Sequence, residues 1–319
     1  MKSRADAGPA TSHALSHAFV PMAILALIWG CNWPVLKLGV TEIPPLTFRS
    51  LTLPFAALGL LAVARLSGES IAIPRAWWGK VAALAFFNIA GWNGLVLFGV
   101  QQLPAGRSAI IAYTMPVWAT LIAMVVLHEP LNRRKLVGLA LGMLGMVVLL
   151  GDDIRHIRST PTGALLILAA AILWACGTVL LRKWKPPIAQ NTLSGWMMLL
   201  GWLPLVVMAP FFETHPPSYL THLSAGAWFA ILYNIFLAGT LAHWAWFTLA
   251  RTLPVAVSSL SSLPVPVVGV FAGMLFLGER PGPAEFIALG LVLASLFAVL
   301  WQPVEKKKGL PAAATDPEP

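Results

Sequence analysis

Amides, indoles and one imidazole recur in the middle of long apolar stretches of this 319-residue chain. Trp29, Asn32 and Trp33 share the first stretch. Asn88, Trp92 and Asn93 share the third, and Tyr113 sits in the fourth, which Ser108 begins. Trp174 lies in the sixth, Tyr233, His243 and Trp244 in the eighth, and Ser258, Ser261 and Ser262 in the ninth. A polar group in hydrocarbon is costly unless it faces a partner or a watery cavity. The chemistry these residues can do is non-covalent recognition: amides and hydroxyls exchange hydrogen bonds, and aromatic rings offer flat walls. Asn88 and Trp92 are one helical turn apart and share a face. Any one Ser, Thr or Asn could equally serve an interhelical hydrogen bond. Their concentration in stretches 1, 3, 4, 6, 8 and 9 is what marks a pathway, so all of them are expected to contact a substrate.

The parts of a catalytic site are missing. No G-x-S-x-G or H-E-x-x-H occurs, and all 12 acidic residues fall in tails, loops or the ends of stretches. Proton- and sodium-coupled carriers commonly place a carboxylate inside the membrane, and none is placed there here. Cys31 and Cys176 sit in matching Trp-x-Cys contexts with no CxxC pair. Neither a metal nor a cofactor is expected, nor an enzyme. Arg49 opens the second stretch and falls opposite Ser194 in the other half of the chain, an asymmetry that suits a substrate carboxylate, or an arginine snorkelling to the interface. Pro116, Pro264 and Pro266 interrupt stretches 4 and 9, where a missing amide hydrogen frees a carbonyl and allows a hinge.

The elements that must position these groups are transmembrane helices. Apolar residues make up 58% of the sequence and charged residues 10%, against roughly 25% charged in soluble domains. Ten runs approach the ~20 residues a spanning helix needs: 19–38, 46–66, 77–99, 104–127, 133–151, 162–182, 191–211, 227–249, 253–277 and 283–301. The net charge of +9 resides in short loops and tails, so nucleic acid is not an expected partner. Fifteen of the 21 Lys and Arg fall on the side of the termini and six on the other. That bias predicts that both termini are cytoplasmic.

The chain also repeats itself at an offset of 150. Leu127-His128-Glu129 matches Leu277-Gly278-Glu279, Leu103-Pro104 matches Leu253-Pro254, and Asn93 matches His243. Five runs per copy, an odd number, predict two inverted repeats, the architecture of many secondary transporters. The expected organisation is a cytoplasmic tail (1–18), a first five-helix repeat (19–151), a second (162–301) and a disordered cytoplasmic tail (302–319). The fold class is an all-α polytopic membrane protein with a central cavity.

Trp29-Gly30 with Asn32, Pro45 to Arg49 entering the second run, Leu127-His128-Glu129-Pro130 and Leu277-Gly278-Glu279-Arg280-Pro281 together resemble the EamA-type branch of the drug/metabolite transporter superfamily, and the resemblance extends to its aromatic amino acid exporters. It covers about residues 20–301. It implies export of small metabolites from the inner membrane through a cavity between spans 1, 3, 4, 6, 8 and 9. The aromatic residues of those spans favour amino acids, aromatic ones first, carried by alternating access as the two halves rock about the prolines. Efflux of drugs or lipophilic cations is the alternative. The expected partners are a small-molecule substrate and the lipid bilayer, and the expected state is a monomer or weak homodimer.

Overall fold

The computed structural model describes residues 9–130, 132–156, 162–213, 221–246 and 263–300. Every regular element among them is helical. In chain order these are α1 (Pro9–Glu42), α2 (Pro45–Leu66), α3 (Arg75–Gln102), α4 (Ala105–Val126), α5 (Arg133–His156), α6 (Thr162–Trp184), α7 (Gln190–Phe212), α8 (Ala225–Trp246), α9 (Pro264–Leu277) and α10 (Pro283–Leu300). The first eight contain stretches long and apolar enough to cross a membrane; α9 and α10 are shorter apolar helices, α9 being described from Pro264 onward. Prolines at the starts of α2, α9 and α10, and Pro104 just before α4, suit first-turn positions, where their missing N–H costs nothing.

Helices pack in pairs that survive an exchange of the two halves. α2 lies on α7, α5 on α10 and α4 on α9, each pair mapping onto itself. The α1–α9 contact maps onto α6–α4, α3–α6 onto α8–α1, and α3–α7 onto α8–α2. Lys37 near the end of α1 donates from Nζ to the Val100, Gln101 and Leu103 carbonyls at 2.9, 2.8 and 2.9 Å, beside the start of α4. Arg182 at the end of α6 meets Glu129, just past the end of α4. α1 and α6 therefore run in opposite directions along α4.

Three helices carry irregular turns. α3 winds as a π-helix over Phe86–Gly91 and α8 over Tyr233–Leu241, and the first segment shifted by 150 falls inside the second. π segments open the i→i−4 ladder and recur at functional sites. α4 breaks into two at Tyr113–Thr114, between Ala105–Ala112 and Met115–Val126. The break precedes Pro116, which the second piece accepts in its first turn. The same reason places Pro264 and Pro266 in the first turn of α9.

Candidate substrate cavity

The first turns of α2 carry Arg49 inward because Phe48, fully buried in the central core, fixes the helix's rotation. Arg49 is only 7% exposed, and its guanidinium carbon lies 5.6 Å from the Phe48 ring. Its Nη1 donates to Asn234 Oδ1 on α8 at 3.0 Å. Asn234 Nδ2 is spent on the Ala230 carbonyl at 3.0 Å, which fixes the amide with its oxygen toward the guanidinium.

Between these helices is a cavity with about 970 Å³ of empty space, its open mouth included. Trp29, Asn32 and Trp33 of α1 line it, with Arg49 and Thr52 of α2, Trp92 and Asn93 of α3, Tyr113 and Met115 of α4, Trp174 of α6, Met198 of α7, and Asn234 and His243 of α8. Two aromatic pairs form walls. The Trp29 and His243 rings meet edge to face at 5.5 Å, and Trp92 and Trp174 at 5.2 Å. The pairs join α1 to α8 and α6 to α3, contacts that exchange with each other when the halves are exchanged.

Two polar atoms in the cavity residues, Arg49 Nε and Asn32 Oδ1, are buried with no hydrogen-bond partner among the described residues. A buried orphan of this kind costs about 1–3 kcal/mol, more when charged, and a ligand can supply what is missing. One is a cationic donor and the other an acceptor.

Of the residues expected from sequence, Trp29, Asn32, Trp33, Arg49, Trp92, Asn93, Tyr113, Trp174 and His243 surround this one space. Asn93 and His243 also patch their own π turns: Asn93 Nδ2 donates to the Ile89 carbonyl at 2.9 Å, and His243 Nδ1 lies 2.9 Å from the Ala238 carbonyl. Three others stand outside the lining. Asn88 packs against Gly177 and donates to the Trp174 carbonyl at 3.0 Å. Tyr233 donates its hydroxyl proton to the Ile28 carbonyl at 2.7 Å, holding α8 to α1. Trp244 is 41% exposed on the outer surface of the bundle. It follows His243 directly, and consecutive helical residues point about 100° apart, so the two do not share a wall. Ser258, Ser261 and Ser262 lie outside the described residues. Asn234, Thr52, Met115 and Met198 belong to the lining and were not among the expected contacts. Asn234 was visible as a polar residue in an apolar run; its pairing with Arg49, 185 residues away, had no sequence signal.

Comparisons with known proteins agree with this architecture. The chain is 26% identical to the uncharacterized transporter YoaV of Bacillus subtilis, over 85% of this chain and 90% of that one. It is 27% identical to a probable amino-acid metabolite efflux pump of Escherichia coli K12, over 86% and 91%. The uncharacterized inner membrane transporter YedA of the same organism is 26% identical, over 88% and 90%. A solved crystal structure superposes with a TM-score of 0.63 at 19% identity, covering 89% of this chain and 96% of its own, and so shares the fold. Residues 18–151 and 161–301 each match the EamA-like transporter family. Two matched halves, long apolar helices and one cavity between them lead to one assignment: the chain belongs to the EamA-like transporter family.

Proposed function

We propose that this chain is an inner-membrane exporter of amino acids and of the carboxylates derived from them, with aromatic ones favoured. The observation that carries the reading is the pair of unpartnered atoms in the cavity residues, Arg49 Nε and Asn32 Oδ1. A substrate carboxylate accepts from the guanidinium, a charge-assisted bond stronger than a neutral one. A neighbouring N–H of the substrate donates to Asn32. The Trp29, Trp92 and Trp174 rings then receive a flat side chain. Arg49 disfavours lipophilic cations in the same space, since like charges repel in a low-dielectric site. That the relatives include a protein named as a probable amino-acid metabolite efflux pump supports the direction and the substrate class.

The mechanism proposed is alternating access by ten spans in two inverted five-helix repeats, 19–151 and 162–301. The opposed directions of α1 and α6 and the exchange-related packing pairs support it. The excess of Lys and Arg on one side supports cytoplasmic termini. The break at Tyr113–Thr114 and the π segments of α3 and α8 supply backbone that can change its hydrogen bonding around the cavity.

The test is counterflow in proteoliposomes with labelled Phe, Trp, Thr and phenylpyruvate, with and without a pH gradient. Accumulation of one or more is expected. No accumulation of any would remove the reading.

A further inference from the structure

The cavity has a charge of its own, and it is unbalanced. Arg49 is the one Lys or Arg in its lining, and no Asp or Glu lines it among the described residues. Each glutamate whose side chain is described is already engaged at a helix end. Glu42 accepts from Ser224 at the start of α8, and Glu213 from the Leu46 and Thr47 amides at the start of α2. Glu279 accepts from the Ala105 and Gly106 amides at the start of α4, and Glu285 pairs with Arg107. Glu129 pairs with Lys135 and Arg182, and Glu69 accepts from Asn191. Among the described residues, no carboxylate is left to face a substrate ammonium.

The partner that Arg49 does have is neutral. Asn234 offers a carbonyl oxygen where an aspartate of nearly the same shape would offer a full counter-charge. Its Nδ2, held by the Ala230 carbonyl, keeps that oxygen in place. Arg49 Nε is buried without a partner among the described residues.

We infer that the cavity selects its substrate by net charge: it takes the carboxylate lacking a free ammonium, such as a 2-keto acid or an N-acylated amino acid, ahead of the parent zwitterion, and Asn234 sets this preference by leaving Arg49 unneutralised. The inference rests on the proposed role of the cavity as the substrate site. A zwitterion brings a second cation near Arg49, in a space where charges interact more strongly than in water. An aromatic keto acid or N-acyl derivative brings only the anion. Its amide N–H, where present, still reaches Asn32 Oδ1 as a neutral donor.

The experiment is counterflow by the reconstituted wild-type protein, against protein-free liposomes, with four aromatic probes of similar size. Phenylpyruvate and N-acetylphenylalanine carry net charge −1, phenylalanine zero and phenethylamine +1. One or both anions are expected to exceed phenylalanine by about tenfold or more in protein-dependent flux, with phenethylamine last. An imposed potential, positive on the trans side, is expected to accelerate the anions and leave phenylalanine unchanged. In Asn234→Asp the preference should narrow or reverse. In Asn234→Ala, which removes the acceptor without adding charge, the order should persist. Phenylalanine carried as well as or better than both anions by the wild type overturns the charge inference while leaving the transport reading standing. Absence of flux for all four overturns the transport reading itself, and this inference with it. The wild-type comparison decides the matter even if Asn234→Asp does not fold.

Discussion

The turns Leu127-His128-Glu129 and Leu277-Gly278-Glu279 have the same backbone and opposite uses. His128 and Gly278 both adopt the left-handed conformation, with φ of 55° and 64°. The Glu129 amide donates to the Ala123 carbonyl at 3.4 Å, and the Glu279 amide to the Gly273 carbonyl at 3.2 Å. From there the side chains diverge. Glu279 reaches across to cap α4, with Oε1 2.5 Å from the Ala105 amide and Oε2 3.0 Å from the Gly106 amide. Glu129 pairs instead with Lys135 at 2.9 Å and with Arg182, which is largely exposed. Residue 273 is one reason. A Cβ there would come within 2.5 Å of Glu279 Oε2, and the equivalent residue of the first half is Ala123. One turn thus closes its end of the bundle with sheltered, charge-assisted caps, and the other closes its end with screened ion pairs. In a transporter, the second end is the one expected to yield first.

Breaking the stronger turn should give the largest effect. Glu279→Gln removes two charge-assisted hydrogen bonds, and a loss of about 3 kcal/mol is expected. It should appear as a lower Tm in detergent and as faster maleimide labelling of Ser108→Cys, whose position is fully buried beside the capped turn. Gly273→Ala should act in the same direction by displacing the carboxylate, at about 2 kcal/mol. Ala123→Gly should cost only the glycine penalty of a helix interior, about 1 kcal/mol.

The left-handed positions sharpen the comparison at smaller scale. Gly278→Ala should destabilise by about 1 kcal/mol, because a Cβ is disfavoured at positive φ. His128→Gly should stabilise by up to about 1 kcal/mol for the same reason, read as a rise in Tm.

Glu129→Gln should have the smallest effect, under about 1 kcal/mol and weaker still at high salt. The Lys135 hydrogen bond, with the Arg182 charge, holds the Glu129 carboxyl below its ordinary range. Its contribution is therefore fully present above the unfolded carboxyl value near about pH 4.3, and is lost as pH falls below it. A Tm series from pH 7 to 3 should show the wild type and Glu129→Gln converging at the acid end.

Much of this was legible in the sequence because both signals are local or periodic. Apolar runs near 20 residues mark the helices, and the 150-residue offset paired the two glutamate turns before any contact was known. Nine of the expected site residues share the cavity because polar groups in apolar helices have few other places to go. What was not legible depended on facing and on distant partners. His243 and Trp244 read alike as neighbours, yet one lines the cavity and the other is exposed. The break of α4 at Tyr113–Thr114 is announced by Pro116, which takes the first turn of the following piece, but its position just upstream of that proline is not. The π turns, beside which Asn93 and His243 contact the Ile89 and Ala238 carbonyls of their own helices, are a feature no composition rule detects. Asn234 matters through Arg49, which only the fold brings to it.

The role proposed for Arg49 in this cavity is to receive the substrate's carboxylate. Its most direct test is counterflow by reconstituted Arg49→Gln beside the wild type, with the better-carried aromatic carboxylate as probe and Tm as the check on folding. Loss of a charge-assisted partner predicts a fall of about tenfold or more in transport with the Tm held or raised, since an uncompensated buried charge has been removed. Undiminished transport by a folded Arg49→Gln protein would rule that role out.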